Sequence, residues 1–170
     1  LIAMGEAGNE EYGSPVVEVI ADKENKTLRI IDQGVGMNEE EVEKYINQIA
    51  FSGAEEFIDK YKDKVEDSGI IGHFGLGFYS AFMVADRVLV STRKADEEQT
   101  KIWESDGETG YTITHSETVT AVGTSIKLFL RKDAKEYADK FKIRSLIKKY
   151  SDHIMVPISI QDVKGECEQV

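Results

Sequence analysis

Thr27-Leu28-Arg29-Ile30-Ile31 runs directly into Asp32-Gln33-Gly34-Val35-Gly36-Met37, and later Gly72-His73-Phe74-Gly75-Leu76-Gly77-Phe78 leads into an apolar run. The first stretch ends a strand-like segment with one carboxylate and two glycines. The second is a glycine-rich turn at the head of an apolar helix. A buried carboxylate can accept a hydrogen bond from an exocyclic amine such as that of adenine. Glycines let a backbone approach a flat base or a phosphate that a Cβ would push away. A glycine turn at a helix N-terminus offers unpaired N–H groups and a positive dipole end to an anion. Together the two stretches read as a site for an adenine nucleotide. Each is weaker alone, because Asp-x-Gly is common in turns and glycines also serve plain loops before helices. Crowding Gly72, Gly75 and Gly77 together nevertheless costs backbone entropy that needs a reason. No Gly-Lys-Ser/Thr follows, so this is not a P-loop. A helical hairpin precedes it where the dinucleotide fingerprint needs a strand.

Outward from that stretch, Val16 to Ile20 and Thr27 to Ile31 are β-rich runs around the polar tip Lys23-Glu24-Asn25-Lys26, a hairpin pattern. Asn38 is placed as a helix N-cap with Glu41 at the capping-box position. Val42, Tyr45, Ile46 and Ile49 then fall on one helical face. Phe51-Ser52-Gly53 and Asp67-Ser68-Gly69 bracket a charged surface helix, and a glycine-bracketed helix could move as a lid or stand as a static helical hairpin. Phe78 to Ala85 is apolar nearly all round, which predicts a buried helix. Strand patterns follow at Arg87 to Arg93, Lys101 to Glu104, Tyr111 to Ser116 and Thr124 to Arg131, with Ile126, Leu128 and Leu130 sharing a face. Lys142 to Ile154 reads as an amphipathic helix and Met155 to Ile160 as a final strand, with Pro157 at its start or on an edge. Trp103 reads as packing on the sheet. This order predicts an α+β fold, an antiparallel-rich sheet with helices on one face.

The chain has 170 residues, enough for one well-cored domain. Its net charge of −11 repels phosphate backbones and argues against a nucleic-acid partner. The single cysteine, Cys167, forms no intrachain disulfide, which points to the cytoplasm. No apolar run is long enough for a membrane span. His73, His115 and His153 are scattered without metal-ligand spacing, so no metal site is assigned in this chain. The serines lack a His/Asp constellation, so no acyl-transfer chemistry is assigned.

The residues resemble a known family. Ile31 to Met37, Gln48-Ile49-Ala50-Phe51-Ser52-Gly53, Ile71 to Arg87, Ile102 to Asp106, Gly123-Thr124 and Lys148-Lys149-Tyr150-Ser151 are similar to the N-terminal ATP-binding domain of the heat-shock protein 90 chaperones, most like the bacterial HtpG branch. The resemblance runs from about Val16 to Ile160. The wider GHKL superfamily of gyrase, histidine-kinase and MutL ATPases shares only the Asp/Gly skeleton.

The resemblance implies a two-layer sandwich with a mixed, antiparallel-rich sheet, and ATP or ADP as ligand. It implies that Asp32 accepts the adenine amino group, with Gly34, Gly36 and Thr124 around the base and Met37, Tyr45 and Ile46 lining the pocket. The backbone at Gly72, Gly75, Leu76, Gly77 and Phe78 would hold the phosphates, and a lid at about residues 47–77 would close over them. Tyr45 stands where many relatives carry an Asn near the ribose, and Phe51 where many carry a Lys near the phosphates. The family's catalytic Glu and Mg²⁺-holding Asn lie on a first helix. No Glu-x-x-x-Asn helix precedes Asp32, so both are expected upstream of Leu1 and the chain alone is expected to be inactive.

The implied boundaries are a lead-in over residues 1–15, the nucleotide-binding domain over 16–162, and the start of a linker to a middle domain over 163–170. The parent protein is expected to be an ATP-hydrolysing chaperone acting on unfolded or partly folded client proteins as a homodimer, with Mg²⁺. A histidine-kinase or MutL/gyrase-type ATPase is the alternative. It would call for a phospho-acceptor helix or a basic DNA-binding surface, and the sequence presents neither. A binding module without turnover is a third reading.

Overall fold

Asp22 accounts for the turn of the first hairpin. Its Oδ1 accepts from the Asn25 backbone N–H at 2.9 Å and its Oδ2 from Asn25 Nδ2 at 2.7 Å, while Lys26 takes a left-handed φ of 54°. β1 (Val17–Asp22) and β2 (Thr27–Asp32) therefore pair antiparallel around residues 23–26, as the sequence predicts. The computed structural model describes residues 16–47, 78–118, 120–151, 154, 156–163 and 167–169. Further strands are β3 (Ala85–Arg93), β4 (Thr100–Ser105), β5 (Tyr111–Ser116), β6 (Gly123–Leu130), β7 (Ile158–Asp162) and β8 (Cys167–Gln169). They form one sheet in the order β5-β4-β3-β6-β2-β1-β7-β8. Every pair is antiparallel except β1 with β7, which makes the sheet mixed and antiparallel-rich.

The strand period of two sorts the side chains. Val19, Ala21, Leu28, Val88, Val90, Trp103, Leu128, Leu130 and Ile160 are buried together in one core cluster. The helices contribute Val42, Ile46, Ala138 and Ile143 to that same cluster, so they pack on that face. This is the predicted α+β architecture. On the opposite face the Arg87 guanidinium lies 3.6 Å from the centre of the Phe129 ring.

α1 (Glu39–Val42) begins at Asn38, with both capping-box bonds present. The Glu41 N–H donates to Asn38 Oδ1 at 2.8 Å and the Asn38 N–H to Glu41 Oε2 at 2.9 Å. The chain continues as a π-helical turn over Glu43–Asn47, keeping Val42 and Ile46 inward as predicted. Ile49, the last member of that predicted face, lies outside the described residues. α2 (Lys140–Tyr150) starts earlier and stops earlier than Lys142 to Ile154. Asp139 caps it, accepting from the Phe141 N–H at 2.9 Å and the Lys142 N–H at 3.3 Å.

Two expectations are corrected. Phe78–Met83 is a 3₁₀ helix in which no residue is buried, and Met83 is 77% exposed. Phe78, Ala81 and Phe82 pack only at the margin of the core, and the chain turns into β3 at Ala85. The strand at Ile158–Asp162 is not the last, because β8 adds to the edge beyond it. Among the described residues no helix is long and apolar enough to cross a membrane.

Candidate functional site

Asp32 is the last residue of β2, on the core face, at the end of the sheet away from the hairpin tip. Its register partners are Val17 on β1 and Thr124 on β6, and Thr124 in turn faces Thr92 on β3. Asp32, Thr124 and Thr92 thus stand in one row of polar side chains at this end of the face. The Asp32 Oδ1 accepts from the Gly34 N–H at 2.8 Å. Burial pushes the Asp32 carboxyl above its usual pKa, opposed by hydrogen bonds from the backbone N–H groups of Gly34 and Thr124. A half-buried carboxylate fixed by the Gly34 N–H is a strong acceptor.

The loop after Asp32 is pinned from the far side. Thr92, 1% exposed, accepts from the Met37 N–H at 2.9 Å. Its Oγ1 also lies 3.1 Å from both the Gly123 carbonyl and the Thr124 Oγ1. Gly36 is buried at φ 67°, and a Cβ there would stand 1.9 Å from the Arg93 carbonyl oxygen. Gly123, at φ 130°, would put a Cβ 2.3 Å from the Asp32 carbonyl oxygen. Both glycines let backbone segments of this chain meet at the site. Gly34 is exposed. The start of α1 is tied to the same end of the sheet by Lys94–Glu41 at 2.7 Å and His115–Glu39 at 2.8 Å. The Glu41 contact raises the Lys94 pKa, foremost through its hydrogen bond.

Asp32, Gly34, Gly36, Met37 and Thr124 are brought together by register and by these bonds. Tyr45 and Ile46 sit on the π-helical turn, with Ile46 buried in the core. Phe78 lies edge-on to Trp103 at 5.5 Å. Gly72, Gly75, Leu76, Gly77, Phe51 and the expected lid beyond Asn47 lie outside the described residues. Thr92 and Gly123 escaped the sequence reading of the site. The available signal was a threonine where the Val88, Val90 alternation calls for an apolar residue. A cleft of about 410 Å³ lies at the opposite end of β1, lined by Ala21, Lys23, Asp139, Phe141 and Val163. It contains none of these site residues. Among the described residues no three His, Cys, Asp or Glu side chains gather as a metal cage.

A carboxylate ending a central strand of a mixed sheet, opposite a threonine and followed by a glycine loop that leads into a capped helix, agrees with the class of ATPases whose family matches the chain. The chain belongs to the family described as histidine kinase-, DNA gyrase B- and HSP90-like ATPase, which matches residues 11–143. Within that class it is similar to the chaperone protein HtpG of Wolinella succinogenes, 42% identical over 95% of this chain and 26% of that protein. The chaperone protein HtpG of Borreliella afzelii is 46% identical over 86% of this chain and 24% of its own length. That of Porphyromonas gingivalis is 49% identical over 87% of this chain and 21% of its own length. The chain spans about a quarter of the length of the curated relatives it matches.

Proposed function

We propose that this chain is the adenine-nucleotide-binding domain of an ATP-driven, HtpG-like molecular chaperone of the cytoplasm. The observation that carries the reading is the Asp32 carboxylate, held at the end of β2 by the Gly34 N–H. In this reading Asp32 accepts the adenine amino group. Gly34, Gly36 and Thr124 shape the base contact, and Met37, Tyr45 and Ile46 supply the apolar wall. Gly72, Gly75, Leu76, Gly77 and Phe78 are proposed as the phosphate-binding backbone, and residues 47–77 as the lid. The described donors and acceptors suit a neutral base bearing an exocyclic amine, since Asp32 accepts and the nearby core is apolar.

Mg²⁺ belongs to the proposed parent reaction, where it would neutralise phosphate charge. No described side-chain cluster is assigned to it, and no step is routed through it. Hydrolysis, client binding and dimer clamping are likewise proposed for the whole protein. The HtpG relatives favour this reading over the histidine-kinase and MutL/gyrase branches of the same family.

Calorimetry of ADP binding to Asp32→Asn is the test. Losing a hydrogen bond to a charged acceptor in a buried site costs roughly 1.5–3 kcal/mol, about ten- to a hundredfold in affinity. An affinity within about twofold of the unaltered protein would remove Asp32 from the site.

A further inference from the structure

The chain passes out of the described structure at Asn47 and returns at Phe78, and both ends are held at one place by aromatic side chains from two different elements. The Tyr79 hydroxyl, on the 3₁₀ helix, donates to the Ile46 carbonyl at 2.6 Å. The Trp103 Nε1–H, on β4, donates to Asn47 Oδ1 at 2.6 Å. Phe78 packs edge-on against both rings, 5.7 Å from Tyr79 and 5.5 Å from Trp103. Trp103 is only 2% exposed and stacks at 6.4 Å on Tyr111, so it is an anchor set in the sheet. The π-helical turn Glu43–Asn47 gives this contact added meaning. Turns of this kind are rare and occur often at functional sites. Here the Ile46 carbonyl accepts from a side chain on the 3₁₀ helix. Among the described residues the buried Asn47 Nδ2 has no acceptor.

We propose that Tyr79 and Trp103 form a clasp that locks the Ile46 carbonyl and the Asn47 side chain to the start of the 3₁₀ helix and to β4, and so act as positioning residues for the nucleotide site. The proposal rests on the nucleotide-binding reading above. In that reading Tyr45 and Ile46 belong to one side of the site and Phe78 to the other, and the clasp joins them through hydrogen bonds and ring contacts. The clasp sets their separation, whereas the Asp32 end is set independently by Thr92 and the sheet register. Breaking the clasp therefore weakens nucleotide binding without touching the Asp32 carboxylate.

The test uses the full 170-residue chain. Tyr79→Phe removes one hydroxyl and keeps the ring, Asn47→Ala removes the acceptor of Trp103, and Asp32→Asn serves as the control for the site. Amide hydrogen exchange without nucleotide is expected to quicken about fivefold at Tyr45–Asn47 and Tyr79–Ala81 in the first two variants, the effect of one net hydrogen bond. The centre of β6 is expected to exchange as before. ADP affinity is expected to fall about threefold to tenfold in Tyr79→Phe. Trp103 is the only tryptophan, so its emission reports the clasp directly: ADP should change it in the unaltered chain and change it less in Asn47→Ala.

Exchange within about twofold of the unaltered chain in both variants would overturn the clasp. Faster exchange with unchanged ADP affinity in Tyr79→Phe, while Asp32→Asn loses affinity, would overturn its positioning role. If Asp32→Asn itself binds ADP normally, the nucleotide reading falls and takes the positioning role with it, while the exchange result still decides the clasp.

Discussion

Asp32, the proposed adenine acceptor, carries a cost for folding. Its carboxyl titrates above the usual range because burial penalises the charge. A group whose folded pKa is raised adds stability that is fully present below its unfolded pKa, 3.8, and is lost as pH rises through the folded value. Ionised Asp32 is thus a cost to the nucleotide-free fold at neutral pH. Asp32→Asn keeps an Oδ1 acceptor for the Gly34 N–H and removes the charge. It is expected to unfold in urea at neutral pH with a midpoint no lower than that of the unaltered chain, and its advantage should shrink as pH falls through the raised pKa. A lower midpoint at neutral pH would contradict this account.

Gly36 makes the contrasting case. It combines φ 67° with a Cβ position 1.9 Å from the Arg93 carbonyl oxygen. Gly36→Ala should cost at least about 2 kcal/mol in urea unfolding, from left-handed backbone strain together with the collision. The sequence singled out both residues, but for Gly36 it assigned close approach to a ligand. The tertiary contact supplies a closer partner, the chain's own β3 end, which is far away in sequence and so leaves no local trace.

At the level of elements, one threonine joins the loop after β2 to β3 and β6. Thr92→Val keeps shape and burial, removes the Oγ1, and leaves the Met37 N–H and the Gly123 carbonyl without this partner. Leaving a buried donor unsatisfied costs about 1–3 kcal/mol. Thermal unfolding should show that loss in Thr92→Val and recover most of it in Thr92→Ser, and equal stability of the two variants would deny the hydroxyl its role. The α1 start was legible because its cap is written locally: Asn38 and Glu41 stand three apart and bond each other. The 3₁₀ helix at Phe78–Met83 was not. Apolar composition predicts burial, yet a residue is buried only if another surface arrives to cover it. Met83 points away from the core that takes Phe78 and Phe82.

Across the whole molecule the sheet fixes a gradient of protection. β6 and β2 lie at its centre, each paired on both sides, while β5 and β8 form its two edges. Most of β5 is exposed. Amides of β6 and β2 should exchange slowest and those of β5 and β8 fastest, because edge strands open without breaking the core. Comparable protection in β5 and β6 would be inconsistent with the strand order. The sheet also joins distant parts of the chain. β1 pairs in parallel with β7, and the Val17 N–H donates to the Pro157 carbonyl at 2.9 Å.

The sequence by itself determined the first hairpin, β3 to β6, the helix starting at Asn38, the α+β class and the Asp32-glycine loop. Side-chain alternation, turn residues and caps act over a few neighbouring positions, so their information is local. Only the tertiary structure decided that β6 lies between β3 and β2, which sets Asp32, Thr124 and Thr92 in one row, and that β7 closes beside β1 with β8 beyond it. Any strand edge offers the same backbone donors and acceptors. Which edges pair is settled by the burial of the whole core at once, a quantity that no short stretch of the chain contains.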